Sequence, residues 1–416
     1  MPVSTSYTFF GVVEDAFDGE FLRIDPQAFG YAARQTITGS LALSGSLAAL
    51  WSSLPEAERV LSTNDISELD LSFAQESTGN WTEADLVTPL TLVSTRDERP
   101  LDQLSATLFH SDQPDGPTLR LDQLEHGGAL LTNDDDRSAY VYGAWVPDEV
   151  KPTLVYGTSV ENRMSLTGEL TLAWGGRGED TIRVMDGQAF VWGQQGDDRI
   201  TGGDGRDVLY GGIGDDTIRG QGGDDVIRGD WGDDILKGGA GNDRISGGAG
   251  DDLIEGNGGA DILDAGGGVD IVRGGAGDDV ILSGTGRFDE SFELERSISE
   301  GGSGNDTIIA TFDAILTGGS GADIFQVGNP AGVLDNIGGL NITDFRPGVD
   351  KLAVYAGEPG QYDSFEEIMA RATEISGDLV FDFFPTSTKD LPSLVLENVK
   401  ASQLTSGDFL WDDFLV

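Results

Sequence analysis

Aspartate recurs at nine-residue steps through the middle of this chain. Asp180, Asp198, Asp207, Asp216, Asp225, Asp234, Asp243, Asp252, Asp261, Asp270 and Asp279 share one phase, broken only where Ala189 stands in the series. Asp306 and Asp323 take the pattern up again beyond an interruption. Each of these residues closes a glycine-rich hexamer and stands two places before an apolar side chain, as in Gly247-Gly248-Ala249-Gly250-Asp251-Asp252-Leu253-Ile254. Carboxylates are hard oxygen donors. Combined with main-chain carbonyls from glycine turns, they can supply the roughly six to eight oxygens that Ca²⁺ takes, whereas Mg²⁺ wants stricter octahedral geometry and keeps its water. Zinc sites draw on imidazole and thiolate, and the chain has 2 His and no Cys.

One unit can be built physically. Glycine at the first, second and fourth positions permits positive φ and close backbone approach, so six residues can turn tightly. Three residues follow as a minimal strand whose middle side chain, such as Ile245 or Ile254, faces inward. Two units make a coil of 18 residues, and stacked coils pair their strands in parallel as a β-roll. Aspartates then fall into two columns on opposite edges. One holds Asp198, Asp216, Asp234, Asp252 and Asp270; the other holds Asp207, Asp225, Asp243, Asp261 and Asp279. Neighbours in a column stand about 4.8 Å apart, one strand spacing. Bare carboxylates that close repel, so a cation must lie between them.

The pattern G-G-x-G-x-D-x-U-x, with U apolar, resembles the repeats-in-toxin (RTX) nonapeptide, whose known ligand is Ca²⁺. The resemblance covers residues 175–416. It implies a Ca²⁺-loaded roll with all the aspartates named above as metal ligands. The segments "DFRPGVDKL" and "LVLENV" resemble the region that follows such repeats in secreted proteins. The ending Asp413-Phe414-Leu415-Val416 is similar to those of type I secretion substrates. An ABC transporter of that pathway and an extracellular location are thereby implied. The start "MPVSTSYTFFGVVED" has neither the basic region nor the cleavage site of a Sec signal, and no run of apolar residues is long enough to span a membrane. Ca²⁺ is scarce inside a bacterium and abundant outside, so metal binding would become folding free energy only after export.

The elements around the repeats divide the chain into three zones, all of them β-rich. Residues 1–170 alternate apolar with polar residues in "TSYTFFGVV", "TITGSLALSG", "ELDLSFAQ", "LVTPLTLVST", "LSATLFH", "PTLRLDQL" and "SAYVYGAWV". That pattern predicts short antiparallel strands in a β-sandwich-like domain, with one short helix near Leu54–Leu61. Residues 171–327 form the roll. The segment 283–300 interrupts it for two periods, after which Gly301 resumes the phase. Residues 328–416 form a small capping domain that carries the secretion signal. In it the capping pair Ser364 and Glu367, the face Phe365, Ile368, Ala372 and Ile375, and the terminator Gly377 predict one helix over 364–377.

The formal net charge is −48. It is spread evenly: 27 acidic against 9 basic side chains in residues 1–174, 23 against 9 in 175–279 and 23 against 7 in 280–416. Much of the acidity is therefore general surface, and nucleic acid is disfavoured as a partner. The histidines, His110 and His126, are not in an H-E-x-x-H motif, and no G-x-S-x-G elbow occurs, so no catalytic residue is assigned. "TNDDDRS" reads as a turn, although paired carboxylates could hydrolyse a glycoside. The sequence predicts a binding or surface-matrix module at the front, with extracellular polysaccharide or a cell surface as partner. A polysaccharide-degrading or -modifying enzyme carried by the roll is the alternative.

Overall fold

A computed structural model describes the backbone of the strands between residues 4 and 147, and residues 150–158, 160–283, 287–288, 294–310, 313–328, 339–354, 364–382 and 394–410. Among the described residues the fold is all-β with one short α-helix. It divides into two units, residues 1–156 with 167–174, and residues 157–166 with 175–416. Among the described residues no helix is long and apolar enough to cross a membrane.

In the first unit each of the seven alternating segments contains a strand. With an eighth strand, Ala129–Thr132, they join in one antiparallel sheet in the order Leu104–Thr107, Leu90–Ser94, Asp70–Ser77, Gln35–Ala42, Ser4–Ala16, Ser138–Pro147, Ala129–Thr132, Arg120–Gln123. The first and last long strands are central partners, with Tyr7 opposite Pro147 and Ala16 opposite Ser138. The end strands Leu104–Thr107 and Arg120–Gln123 lie beside each other, so the expected sandwich takes the form of one curled sheet. Residues 54–60, where a helix was expected, and the acidic run 133–137 lie outside the described residues. Parallel pairing begins at Thr153–Tyr156, which runs beside Leu170–Arg177. There Trp174 is buried and stacks on Tyr156 at 4.7 Å.

The second unit is the roll. One sheet stacks Thr217–Gly222, Ile235–Ala240, Leu253–Gly258 and Ile271–Ala276 in parallel; the other stacks Val226–Trp231, Arg244–Ala249 and Ile262–Gly267. Registers advance by one coil, so that Ile218, Leu236, Ile254 and Val272 align, as do Ile227, Ile245, Leu263 and Ile281. These eighth-position side chains are buried and form the thin core. Strands are longer than the three residues expected. Ile235–Ala240 runs through the first three positions of the next repeat, and its pairing skips only Gly238. The second position therefore carries left-handed φ within a strand. Gln194, Gln221, Asp230 and Asn257 adopt it where glycine is missing. The roll also starts before the recognisable repeats, because Arg163–Leu166 pairs in register with Thr181–Val184.

The interruption is not two further units. Ser297–Ser303 stacks on Ile271–Ala276 with Ile298 beside Ile271, so this coil contains one ordinary half-turn and an excursion. Arg287–Phe288 and Leu294–Glu295 pair as an antiparallel hairpin in that excursion. Both sheets then pass residue 327 without a break. Leu340–Ile342 and Leu394–Leu396 extend one, and Lys351–Val354 and Phe409–Leu410 extend the other.

The helix predicted over 364–377 is five residues long, Phe365–Met369, capped by Ser364 Oγ on the Glu367 N–H. Its expected second half is a strand, Ala372–Ile375, in a hairpin with Asp378–Phe381. Ser376 and Gly377, at φ 58° and 108°, make the turn. Two successive positive-φ residues with glycine second favour a hairpin over a helix terminus. Ile375 consequently faces solvent, while Ile368 is buried.

Candidate metal centre

Every aspartate singled out by the repeat is buried. Its Oδ1 accepts the main-chain N–H of the corresponding residue one coil earlier. In the first column Asp180 N–H donates to Asp198 at 2.7 Å, Asp198 to Asp216 at 2.7 Å, Asp216 to Asp234 at 2.7 Å, Asp234 to Asp252 at 2.9 Å and Asp252 to Asp270 at 3.0 Å. Asn162 heads this column, its N–H 2.6 Å from Asp180 Oδ1, and Ser297 Oγ ends it, accepting from Asp270 at 3.1 Å. In the second, Asp207, Asp225, Asp243, Asp261 and Asp279 are linked in the same way at 2.8–2.9 Å. Asp306, Asp323 and Asp350 then follow at 3.0, 3.1 and 3.1 Å. Sequence reasoning missed Asp350, although Asp350-Lys351-Leu352 repeats the D-x-U signature.

The second carboxylate oxygen is the unusual one. The Oδ2 atoms of Asp180, Asp198, Asp216, Asp225, Asp234, Asp243, Asp252, Asp261, Asp279 and Asp306 are buried with no hydrogen-bond partner. A charged oxygen without a partner in a protein interior is costly, so such atoms need a counter-charge. Main-chain oxygen lies close by. A Cβ added to Gly229 would stand 2.0 Å from Asp234 Oδ2 and 2.6 Å from the carbonyl oxygen of Gly247 in the next coil. The first-position glycine thus keeps a cradle open between a carboxylate and a carbonyl. Among the described residues no three acidic, imidazole or thiol groups converge on one point. The donors are carboxylates stacked coil by coil and turn carbonyls, all oxygen, and that set fits Ca²⁺.

Without a cation these carboxyls resist ionisation. Burial is the first cause, partly offset by the N–H bonds to Oδ1, and the neighbouring carboxylates of the column add to it. Asp216 is pushed up to about 9, Asp225 and Asp234 to about 8, and Asp198, Asp252 and Asp306 to about 7. Asp207, Asp243, Asp261 and Asp279 rise to about 6.

A second ladder lies outside the first. The exposed fifth-position side chains accept the N–H of the fifth position one coil later: Asp197 from Asp215 at 3.0 Å, Asp215 from Asp233 at 2.9 Å and Asp233 from Asp251 at 2.8 Å. On the other edge Asp224 accepts from Asn242, and Asn242 from Ala260. The inner ladder points toward earlier coils and the outer toward later ones, so each turn is tied in both directions. The frequent Asp or Asn before the repeat aspartate was its signal in the sequence.

Two predicted ligands have their Oδ2 engaged. Asp207 Oδ2 accepts the Gly203 N–H at 2.7 Å. Asp323 Oδ2 lies 3.0 Å from Arg346 Nη2.

The family model described as RTX calcium-binding nonapeptide repeat (4 copies) matches this chain repeatedly, over residues 174–209, 192–227, 210–245, 228–263, 237–272 and 255–287. No curated protein sequence matches the chain. Among solved structures, the extracellular lipase LipA from Serratia marcescens is similar at 19% identity and a TM-score of 0.19, covering 56% of this chain. The match spans only 45% of that lipase.

Proposed function

From a chain that carries RTX calcium-binding nonapeptide repeats, we infer a secreted protein whose roll is assembled by calcium once outside the cell. The observation that supports this most directly is the two rows of buried, partnerless Oδ2 atoms. Their mutual repulsion opposes folding without a cation and gives one a strong purchase when present. Asp180, Asp198, Asp216, Asp234, Asp252 and Asp270 would hold ions along one edge, and Asp225, Asp243, Asp261, Asp279 and Asp306 along the other. Cytosolic scarcity of Ca²⁺ would leave the chain unfolded and threadable through a type I apparatus, and metal binding would supply folding free energy outside. Circular dichroism of the full chain should show β-structure appearing as Ca²⁺ is added to EGTA-treated protein, with hydrogen exchange locating the gain in residues 157–410. Equal protection of those residues with and without Ca²⁺ would overturn this reading.

The front unit is proposed as a binding or matrix module, with extracellular polysaccharide as its partner class. One observation favours an acidic polysaccharide as a ligand of the roll itself. On one outer face of this acidic protein, cations stand on successive strands in two staggered rows. Arg163 and Arg199 alternate with Thr181 and Thr217, while Arg183 and Arg219 alternate with Ser165 and Thr201 and precede Lys237. All four arginines are exposed. One cation per strand, about every 4.8 Å, suits a linear polymer bearing a carboxylate on each sugar, which guanidinium can bind bidentately. Salt-sensitive retention of the Ca²⁺-loaded chain on immobilised polygalacturonate should fall in the triple variant R183E/R199E/R219E. Unchanged retention would remove the roll from the contact. The competing reading, a polysaccharide-cleaving front domain, would show as new reducing ends or unsaturated product from the same polymer.

A further inference from the structure

The second aspartate column does not end as it runs. Between Asp225 and Asp306 each column aspartate leaves its Oδ2 without a partner, whereas at the last rung, Asp323 over Asp350, a side chain takes the space. Arg346 Nη2 stands 3.0 Å from Asp323 Oδ2, 2.7 Å from Asp350 Oδ1 and 2.7 Å from the carbonyl oxygen of Gly321. Its Nε lies 3.0 Å from Asp350 Oδ2, and its main-chain N–H donates to that same oxygen at 2.7 Å. Gly321 is the fourth-position glycine of its repeat, a turn residue. One nitrogen is therefore surrounded by two carboxylates and a turn carbonyl, the donor set that the rungs above offer to a metal. Both carboxylates are buried, with side chains 0% and 1% exposed. Guanidinium remains charged at any physiological pH and needs no external supply.

Resting on the calcium reading of the column above it, we propose that Arg346 is a built-in replacement for the cation at this rung. The calcium column then ends with Asp306, and Asp323 belongs to the guanidinium. The last rung closes in the absence of metal, so the roll keeps one finished, metal-independent end. That end is tied to the following segment through Asp344, whose carboxylate accepts the N–H groups of Gly318 and Gly319 at 2.9 and 2.7 Å.

The test counts ions on the full chain by native mass spectrometry and measures the Ca²⁺ midpoint of folding by circular dichroism. Removing the guanidinium in R346A should open a rung that now requires metal. The variant is expected to bind one more Ca²⁺ than the wild type and to need about tenfold more Ca²⁺ to fold, the effect of one buried charge left unpaired. R346K, which restores a cation, should return both values toward the wild type. If R346A matches the wild type in ion count and midpoint, the assignment is overturned. Should R346A fail to fold at any Ca²⁺ concentration, D350N decides. It should bind as many ions as the wild type, because no metal sits at that rung, whereas D243N should bind fewer. Loss of an ion in D350N would place calcium there and overturn the proposal. If the wild type binds no Ca²⁺ and folds in EGTA, the calcium reading falls. The assignment to Arg346 then stands or falls on whether R346A loses thermal stability in EGTA and R346K recovers it.

Discussion

The two oxygens of each repeat aspartate do different work. Oδ1 holds the preceding coil through a main-chain N–H, and Oδ2, engaged at Asp207 and Asp323, is at the other rungs the atom proposed to meet a cation. Asparagine can do the first and not the second. D243N should therefore keep the link to Asp225 yet raise the Ca²⁺ midpoint of folding by about tenfold, read by circular dichroism. D251N, in the outer ladder, should change the midpoint little, since Asn242 and Asn305 already serve in that ladder. The raised pKa values also carry a sign. A carboxyl whose folded pKa lies above its unfolded value, near 3.9, favours the folded state when protonated. That contribution is complete below pH 4 and is lost as pH rises through the range from about 6 for Asp243 to about 9 for Asp216. In EGTA the roll should accordingly gain β-structure as pH is lowered from 9 toward 5. With Ca²⁺ bound the trend should reverse, because protons then compete with metal. A metal-free pH titration that shows no gain on acidification would contradict this.

At the level of the repeat, glycine and the apolar residue set the tolerance to change. Gly229→Ala would drive a methyl into Asp234 Oδ2 and the Gly247 carbonyl, and a loss of roughly 1–3 kcal/mol is expected for such crowding. Gly377→Ala meets nothing within 4 Å and has only its φ of 108° against it, so about 1 kcal/mol is expected. Ile254→Ala removes a fully buried core rung and should cost about 2–5 kcal/mol. Chemical denaturation in saturating Ca²⁺ would rank the three. The same level explains what the sequence could reveal. Period nine fixes phase, so the two columns from Asp198 to Asp279 were legible before any coordinates, whereas the place of Asp306, 27 residues after Asp279, was not. Strand length was not, because pairing through a left-handed second position is a property of stacked coils. The helix over 364–377 failed because Ser376-Gly377 makes a better hairpin turn than helix end. The rung at Asp350 and its arginine were hidden by the loss of glycines around them.

The molecule as a whole couples its charge to its fold. A chain of net charge −48 stacks buried carboxylates in two narrow columns, and the proposed cations would relieve their repulsion one rung at a time. Contacts in such a stack run mainly between neighbouring coils, which explains how the coil containing the hairpin at 287–295 can be longer than its neighbours and still place Asp306 next to Asp279. Length within a coil is free; which edge a rung lands on is not. Repeats alternate edges, so the stack has a parity. Removing residues 220–237 takes out one full coil and leaves every later residue on its own side. Removing only 229–237 takes out half a coil and moves Asp306, Asp323 and Asp350, together with Arg346, to the opposite edge from the repeats before residue 229. Such a protein keeps its rungs on their edges only when whole coils, pairs of repeats, are gained or lost, and its arginine end travels with whichever edge the last rung lands on.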